Sequence, residues 1–182
     1  MQFSAIFLLV FIVVGLLLPQ SYHVQKSIKI NARPPVIKSL VEDFTQWYKW
    51  SPWQQIDPNI KFNIGEPSSG VGAYQSWQGK WGYGEMTISS LSANEVAFNV
   101  LFNQEYIITS TLLFSPNTKT VTWHIEGQAT VPLISGYVAI LAESILGNIT
   151  TLGLNNLKTV AQLSDAQTIM ESHDNQNRTS QN

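Results

Sequence analysis

The sequence predicts an α+β protein. A strongly bent antiparallel sheet of about seven strands wraps a long C-terminal helix, two short helices follow the first strand, and one transmembrane helix precedes the whole. Three observations carry this. Between Asn59 and Ala129, strand-length runs alternate with turn clusters a few residues long, a spacing that suits hairpins and therefore antiparallel pairing. From about Ser135 to Leu163, apolar residues return at helical spacing. From Phe3 to Leu18, only Ser4 and Gly15 lie outside the aliphatic and aromatic set.

Composition narrows the function classes. The chain has 182 residues, 44% hydrophobic and 12% charged, which suits one domain of ordinary size. Twenty-seven Asn and Gln residues take over much of the surface that Lys and Glu usually wet. A net charge of −2 has the wrong sign for a phosphate-binding footprint, so no nucleic-acid partner is expected. The absence of cysteine excludes disulfides, thiolate nucleophiles and Cys-ligated metals.

Residues 1–20 read as an N-terminal membrane anchor. Sixteen apolar residues make a helix of about 24 Å, and the uncharged flank through Tyr22 adds the length that a hydrocarbon core requires. A cleaved signal peptide is the competing reading. Against it stand the absence of Lys or Arg before Phe3 and of a small-x-small site around Leu18-Pro19-Gln20. Lys26, Lys29 and Arg33 follow the span and none precedes it, which predicts a single-pass protein with its domain in the cytoplasm.

The domain is expected over 22–163. His23 to Asn31 alternates as a strand, with Lys26 the one imperfection. Pro34-Pro35 then open a helix in which Val36, Leu40, Val41 and Phe44 share a face, and a second short turn carries Trp47, Trp50 and Trp53. Strands follow, separated by Glu66-Pro67-Ser68-Ser69-Gly70, Gln78-Gly79-Lys80, Ser92-Ala93-Asn94, Asn103-Gln104 and Ser115-Pro116-Asn117. Ile140, Leu141, Ile145, Ile149, Leu152, Leu157, Val160 and Ala161 mark the long helix. The tail, 164–182, is polar and is expected to be disordered.

Several of these runs resemble a known superfamily. Ser27-Ile28-Lys29-Ile30-Asn31-Ala32-Arg33-Pro34, Val41-Glu42-Asp43-Phe44 and Trp47-Tyr48-Lys49-Trp50-Ser51-Pro52-Trp53 are similar to the opening of START/Bet v 1-like (SRPBCC) proteins, specifically the bacterial polyketide cyclase/dehydrase and lipid-transport-like group. Ser69-Gly70-Val71-Gly72-Ala73, Gly82-Tyr83-Gly84-Glu85-Met86, Thr120-Val121-Thr122-Trp123-His124 and Leu152-Gly153-Leu154-Asn155 resemble its later motifs. The resemblance implies a helix-grip fold with an internal apolar pocket, and many similar members carry an N-terminal membrane helix. It does not imply one reaction, because these motifs are mostly packing positions.

Alternation supplies the candidate lining. If Trp77 faces the pocket, so do Ala73 and Gln75 on its strand, Gly82, Gly84, Met86 and Ile88 on the next, and Val121, Trp123 and Ile125 on the last. Phe98, Val100, Phe102, Leu112 and Phe114 add further walls, and Ile140, Ile145 and Ile149 come from the helix. On this reading the glycines free volume behind Trp77 and Trp123; the alternative is a core filled by side chains. Trp47, Trp50 and Trp53 read as a plug between helices and sheet, or as an entrance.

The catalytic inventory is thin. His23 lies at the membrane junction, His173 in the tail, and His124 with Glu126 on the strand face opposite Trp123. Glu85 and Glu95 are expected to face water, Gly79 to Gly84 lacks the helix of a phosphate loop, and no metal-ligand spacing or cofactor motif is present. Asn148-Ile149-Thr150 and Asn177-Arg178-Thr179 fit the glycosylation pattern, which matters only in a secretory chain. The expected function is binding of a small hydrophobic or lipid-like ligand between sheet and helix by a membrane-anchored, non-enzymatic protein. The alternatives are a cyclase or hydrolase using Gln75, Tyr74 or Tyr106 to polarise a carbonyl, and an interaction module similar to the superfamily's co-chaperone branch.

Overall fold

Short turns between consecutive strands leave antiparallel pairing as the geometry open to most of this chain, and the pairing is antiparallel throughout. The computed structural model describes residues 2–179. Helix α1, Gln2–Leu17, leads into β1, Ser21–Lys29. Helix α2, Pro34–Val41, a 3-10 turn, Phe44–Lys49, and α3, Trp53–Ile56, come next. They precede β2, Lys61–Ile64, β3, Tyr74–Gly79, β4, Gly82–Leu91, β5, Glu95–Phe102, β6, Tyr106–Ser115, and β7, Thr120–Gln128; α4, Ser135–Thr179, closes the chain. Three short helical pieces thus stand where the sequence suggested two.

The seven strands lie in the order β1-β7-β6-β5-β4-β3-β2. The later six form a meander, and β1 joins it beside β7. A register shift between Ile88 and Ser90 of β4 adds the local bend that lets the sheet curl. Helix α4 packs on β1 and β7, the 3-10 turn reaches β5 and β7 through Trp47 and Trp50, and α2 packs against α4 and that turn.

The helix pair after β1 is held by named contacts. Pro34 and Pro35 start α2 at positions where a missing N–H costs nothing. Asp43 caps the 3-10 turn, its carboxylate accepting from Thr45 N at 2.8 Å. Trp47 Nε1 donates to Val41 O at 2.9 Å and Trp50 Nε1 to Leu40 O at 2.8 Å, satisfying carbonyls that α2 leaves open at its C-terminus. Both indoles are buried, so the plug reading holds for them; Trp53 is half-buried.

The inner face of α4 follows Ala139, Ala142, Leu146, Thr150, Leu154, Leu157 and Ala161. At Gly153 the helix comes down directly on the sheet, since a Cβ there would lie 2.8 Å from Trp123 Cζ3 and 3.2 Å from Pro52 Cδ. Helix α4, Ser135–Thr179, runs on into the polar stretch that begins at Ser164. Polarity removes burial but not helicity: no Gly or Pro follows Gly153, and buried Asp165 accepts from Arg33 Nε at 2.5 Å and Arg33 N at 3.3 Å.

Helix α1 has 16 residues, about 24 Å, and is shorter than a hydrocarbon core. Phe3 to Val10 are uncovered by the rest of the protein, while Phe11 stacks on Tyr137 at 4.4 Å and accepts the Tyr137 hydroxyl at its carbonyl at 3.0 Å. Among the described residues the helix long and apolar enough to cross a bilayer is instead Ser135–Ser172, within the helix that packs on β1.

Replacing Gly153 with Leu is expected to force α4 off Trp123 and lower stability by about 1–3 kcal/mol, more than the gain in helix propensity returns. Thermal unfolding of the variant checks this.

Candidate functional site

Strand register arranges the inward residues in rows. Val24, Ile125, Ser110, Phe98 and Ile88 form one row across five strands. Tyr22, Gly127, Ile108, Val100, Met86 and Gln75 form another, nearer the end where α1 enters. Of the expected lining, Ala73, Gln75, Gly84, Met86, Ile88, Phe98, Val100, Leu112, Val121 and Trp123 are buried in or against this face, and Trp77, Gly82 and Ile149 are half-buried.

Ile145 does not join them. It is 49% exposed and Ile140 is 54% exposed, because the helix phase turns inward the smaller Ala139, Ala142 and Thr150. A hydrophobicity pattern selects the larger side chains and so picks the wrong face. Thr150 can sit inside because its hydroxyl donates to Leu146 O at 2.7 Å.

The volume expected behind the glycines is also corrected. Trp77 pairs across the strands with Gly84, and its ring covers that glycine: a Cβ on Gly84 would lie 2.5 Å from Trp77 Cζ2 and 2.7 Å from Leu101 O. Gly82, with φ of +135°, is backed by Phe102 and Asn103. The glycines therefore allow close packing and leave no room. The centre is filled in the same way, by Phe44, Trp47, Trp50, Phe98 and Trp123. Trp47 meets Phe98 edge-on at 5.5 Å, and Trp50 meets Trp123 at 5.9 Å. Buried Ser110, which sequence reasoning missed, accepts the Trp123 indole N–H at 2.8 Å. A serine at an inward strand position beside aromatics was the available signal.

Cover thins toward the α1 end. Ala73, Ile88, Phe98 and Leu112 are fully enclosed, whereas Trp77, Phe102 and Ile108 are only half-covered. Helix α4 begins at this end, and the inner residues nearest its start are Ala139 and Ala142 rather than Leu154 and Leu157. Gln75 is buried here, and its amide makes no side-chain hydrogen bond among the described residues. This end of the inward face is therefore apolar and less fully covered, with the Gln75 amide and the Tyr22 phenol as its polar groups.

Ionisable chemistry lies elsewhere. His124 and Glu126 are on the convex face, where Glu126 meets His23 at 3.6 Å in an exposed pair. Among the described residues no three His, Cys, Asp or Glu converge as metal ligands. Burial pushes the Tyr22 phenol above its ordinary value of 10.0. Two open clefts lie away from the half-covered residues. One of about 270 Å³ runs between the start of α2 and the β6–β7 turn and holds Arg33, Lys119 and Asp165. The other, of about 420 Å³, lies beside His23, Ile107 and Glu126. In the first, Arg33 and Asp165 are already spent on each other, pinning α2 to α4.

No protein-family model matches the sequence, and no curated protein matches it. Solved structures do match in fold. The solution structure of KanY protein is 16% identical with a TM-score of 0.58, over 78% of this chain and 98% of that one. Major latex-like protein 151 from Panax ginseng is 14% identical with a TM-score of 0.54, over 79% and 99%. The di-domain ARO/CYC StfQ of the steffimycin biosynthetic pathway is 8% identical with a TM-score of 0.58, over 80% of this chain and 52% of that one. At these identities the likeness shows the fold alone, the helix-grip fold of Bet v 1-like and polyketide-cyclase-type proteins.

Gly84→Val is expected to lower the melting temperature by clashing with Trp77, and Trp77→Ala in the same chain should recover part of the loss, a coupling that a double-mutant cycle measures. Tyr22 adds a pH dependence. Its raised folded-state pKa contributes stability that is complete below about 10 and is lost as pH rises through the folded value. Alkaline titration should therefore unfold the native chain at lower pH than a Tyr22→Phe variant.

Proposed function

We propose that this protein is a membrane-anchored binder of a small hydrophobic or lipid-like ligand, taken up at the mouth between the concave sheet and the start of α4. The observation that carries this reading is the thinning of apolar cover at that end, where Trp77, Phe102 and Ile108 are only half-covered and the start of α4 turns small residues, Ala139 and Ala142, inward. A largely apolar wall with the Gln75 amide in it suits a ligand with a long hydrocarbon part and a polar head, which that amide can hold. Fold neighbours of the Bet v 1-like and polyketide-cyclase type support the choice of this face. Helix α1 supports membrane attachment: it is apolar on all sides and most of it touches nothing else in the chain. We assign α1 to the bilayer, entering it with a hydrophobic length short of a full span, and the domain to the cytoplasmic side by the cations that follow.

A second reading, an interaction module whose partner is another protein, is favoured by the aromatic filling at the centre of the fold. The two separate experimentally. A chain beginning at Ser21 should bind a dansyl-labelled long-chain fatty acid saturably, and Ala142→Phe should abolish that binding while leaving the far-UV spectrum unchanged. Absence of saturable binding in the unsubstituted domain would remove the ligand reading and leave the interaction module.

A further inference from the structure

Strand register sorts the loops into two ends. Ser21 pairs with Gln128, Gly79 with Gly82 and Phe102 with Tyr106. The start of β1, the end of β7, and the β3–β4 and β5–β6 turns therefore share one end of the sheet. Helix α1 enters there and α4 starts there. The β4–β5 and β6–β7 turns lie at the other end, joined by Phe114 N donating to Asn94 O at 2.8 Å.

The two ends differ in what they show to solvent. At the α1 end Trp81 is 69% exposed, Ile107 74% and Leu133 52%, with Tyr83 and Ile134 also exposed. The far end offers polar turns, Ser92, Ala93, Asn94 and Ser115 to Lys119, and its exposed large apolar residues are Val71 and the less open Ile64 and Tyr74 on the loops and Leu163 on α4, with Ile169 and Met170 further along that helix. Trp81 is also held firmly. Lys80 N donates to buried Asp57 at 2.6 Å, fixing the β3–β4 turn, and Asn103 bonds Tyr83 through both N–H and carbonyl, fixing that turn to its neighbour. Lys80 Nζ lies 5.2 Å from the Trp81 ring centre. A rigid turn that presents a tryptophan and a lysine together places an amphipathic ring and a cation where a headgroup layer accepts both. Around the start of α4 charge is sparse, with Glu143 the one charged residue from Gly127 to Leu157, while Ile107 sits beside the carboxylates Glu105 and Glu126.

We infer that the α1 end of the domain is a lipid-docking rim, in which Trp81, Ile107, Leu133 and Ile134 enter the bilayer interface beside α1. The occupant is the membrane itself, because the helix that leaves this end is uncovered and apolar. The inference rests on the reading of α1 as an anchor and deepens it: the domain stands on the membrane with its apolar mouth downward, so a lipid-like molecule can pass between bilayer and sheet without crossing water.

The absence of native cysteine makes the test direct. Full-length chains carrying Trp81→Cys, Ile107→Cys or, at the far end, Asn117→Cys are labelled with an environment-sensitive dye and reconstituted into phosphatidylcholine–phosphatidylglycerol vesicles with or without spin-labelled lipid. The dye at positions 81 and 107 should emit to the blue of the dye at 117 and be quenched several-fold more strongly by the spin-labelled lipid. If the protein floats with vesicles but positions 81 and 107 emit as in water and escape quenching, the rim is wrong and the anchor stands. If the full-length chain does not float with vesicles at all, the anchor fails and the rim fails with it.

Discussion

Two consecutive carbonyls at the end of α2 organise much of this domain. Leu40 O and Val41 O have no partners within their own helix, and the indole N–H groups of Trp50 and Trp47 take them. Each bond lets a large polar-edged ring be buried without an unsatisfied donor. With the rings fixed, Trp47 sets the position of Phe98 on β5, and Trp50 that of Trp123 on β7. Trp123 in turn carries α4 at Gly153. A chain of contacts thus runs from the end of a two-turn helix through both walls of the concave face to the longest helix in the protein.

Much of the architecture was legible in the sequence, for a physical reason. Strands reveal themselves because one face is buried and the other wet, and β4, β5 and β7 alternate as expected. The inward identity of Ala73, Met86, Ile88, Phe98, Leu112 and Trp123 followed from that period. The phase of α4 did not, because close packing against a bent sheet favours small residues inside, and Ala139, Ala142, Thr150 and Gly153 carry little hydrophobic signal. Ile140 and Ile145 carry a strong one and face outward. Gly84 misled in the same sense: a missing side chain suggests space, but its cross-strand neighbour Trp77 lies over it. Asp165 was hidden in a polar tail, since its partner Arg33 is 132 residues away and no local pattern connects them.

The two apolar helices illustrate why hydropathy is a weak guide without packing. The span-length stretch of α4 lays one face on β1, yet Ile140, Leu141 and Ile145, which give it much of its hydropathy, are exposed. Helix α1 is shorter, yet its first residues have no protein cover at all. Length singles out the first and lack of cover the second, so the two criteria point to different helices.

The placement of β1 beside β7 has a kinetic consequence. The first strand of the sheet is paired by the last, and ninety residues separate Lys29 from Thr120. At ordinary rates of synthesis β1 leaves the ribosome about 5–20 s before its only sheet neighbour exists. During that interval its Tyr22, Val24 and Ile28 and its backbone donors lack their native sheet partner. Closure must also bring together the most distant strands in the chain, which makes it a slow, non-local step. The six-stranded meander can form by neighbour-to-neighbour pairing, but the surface that α4 grips is complete only when the two ends of the domain meet.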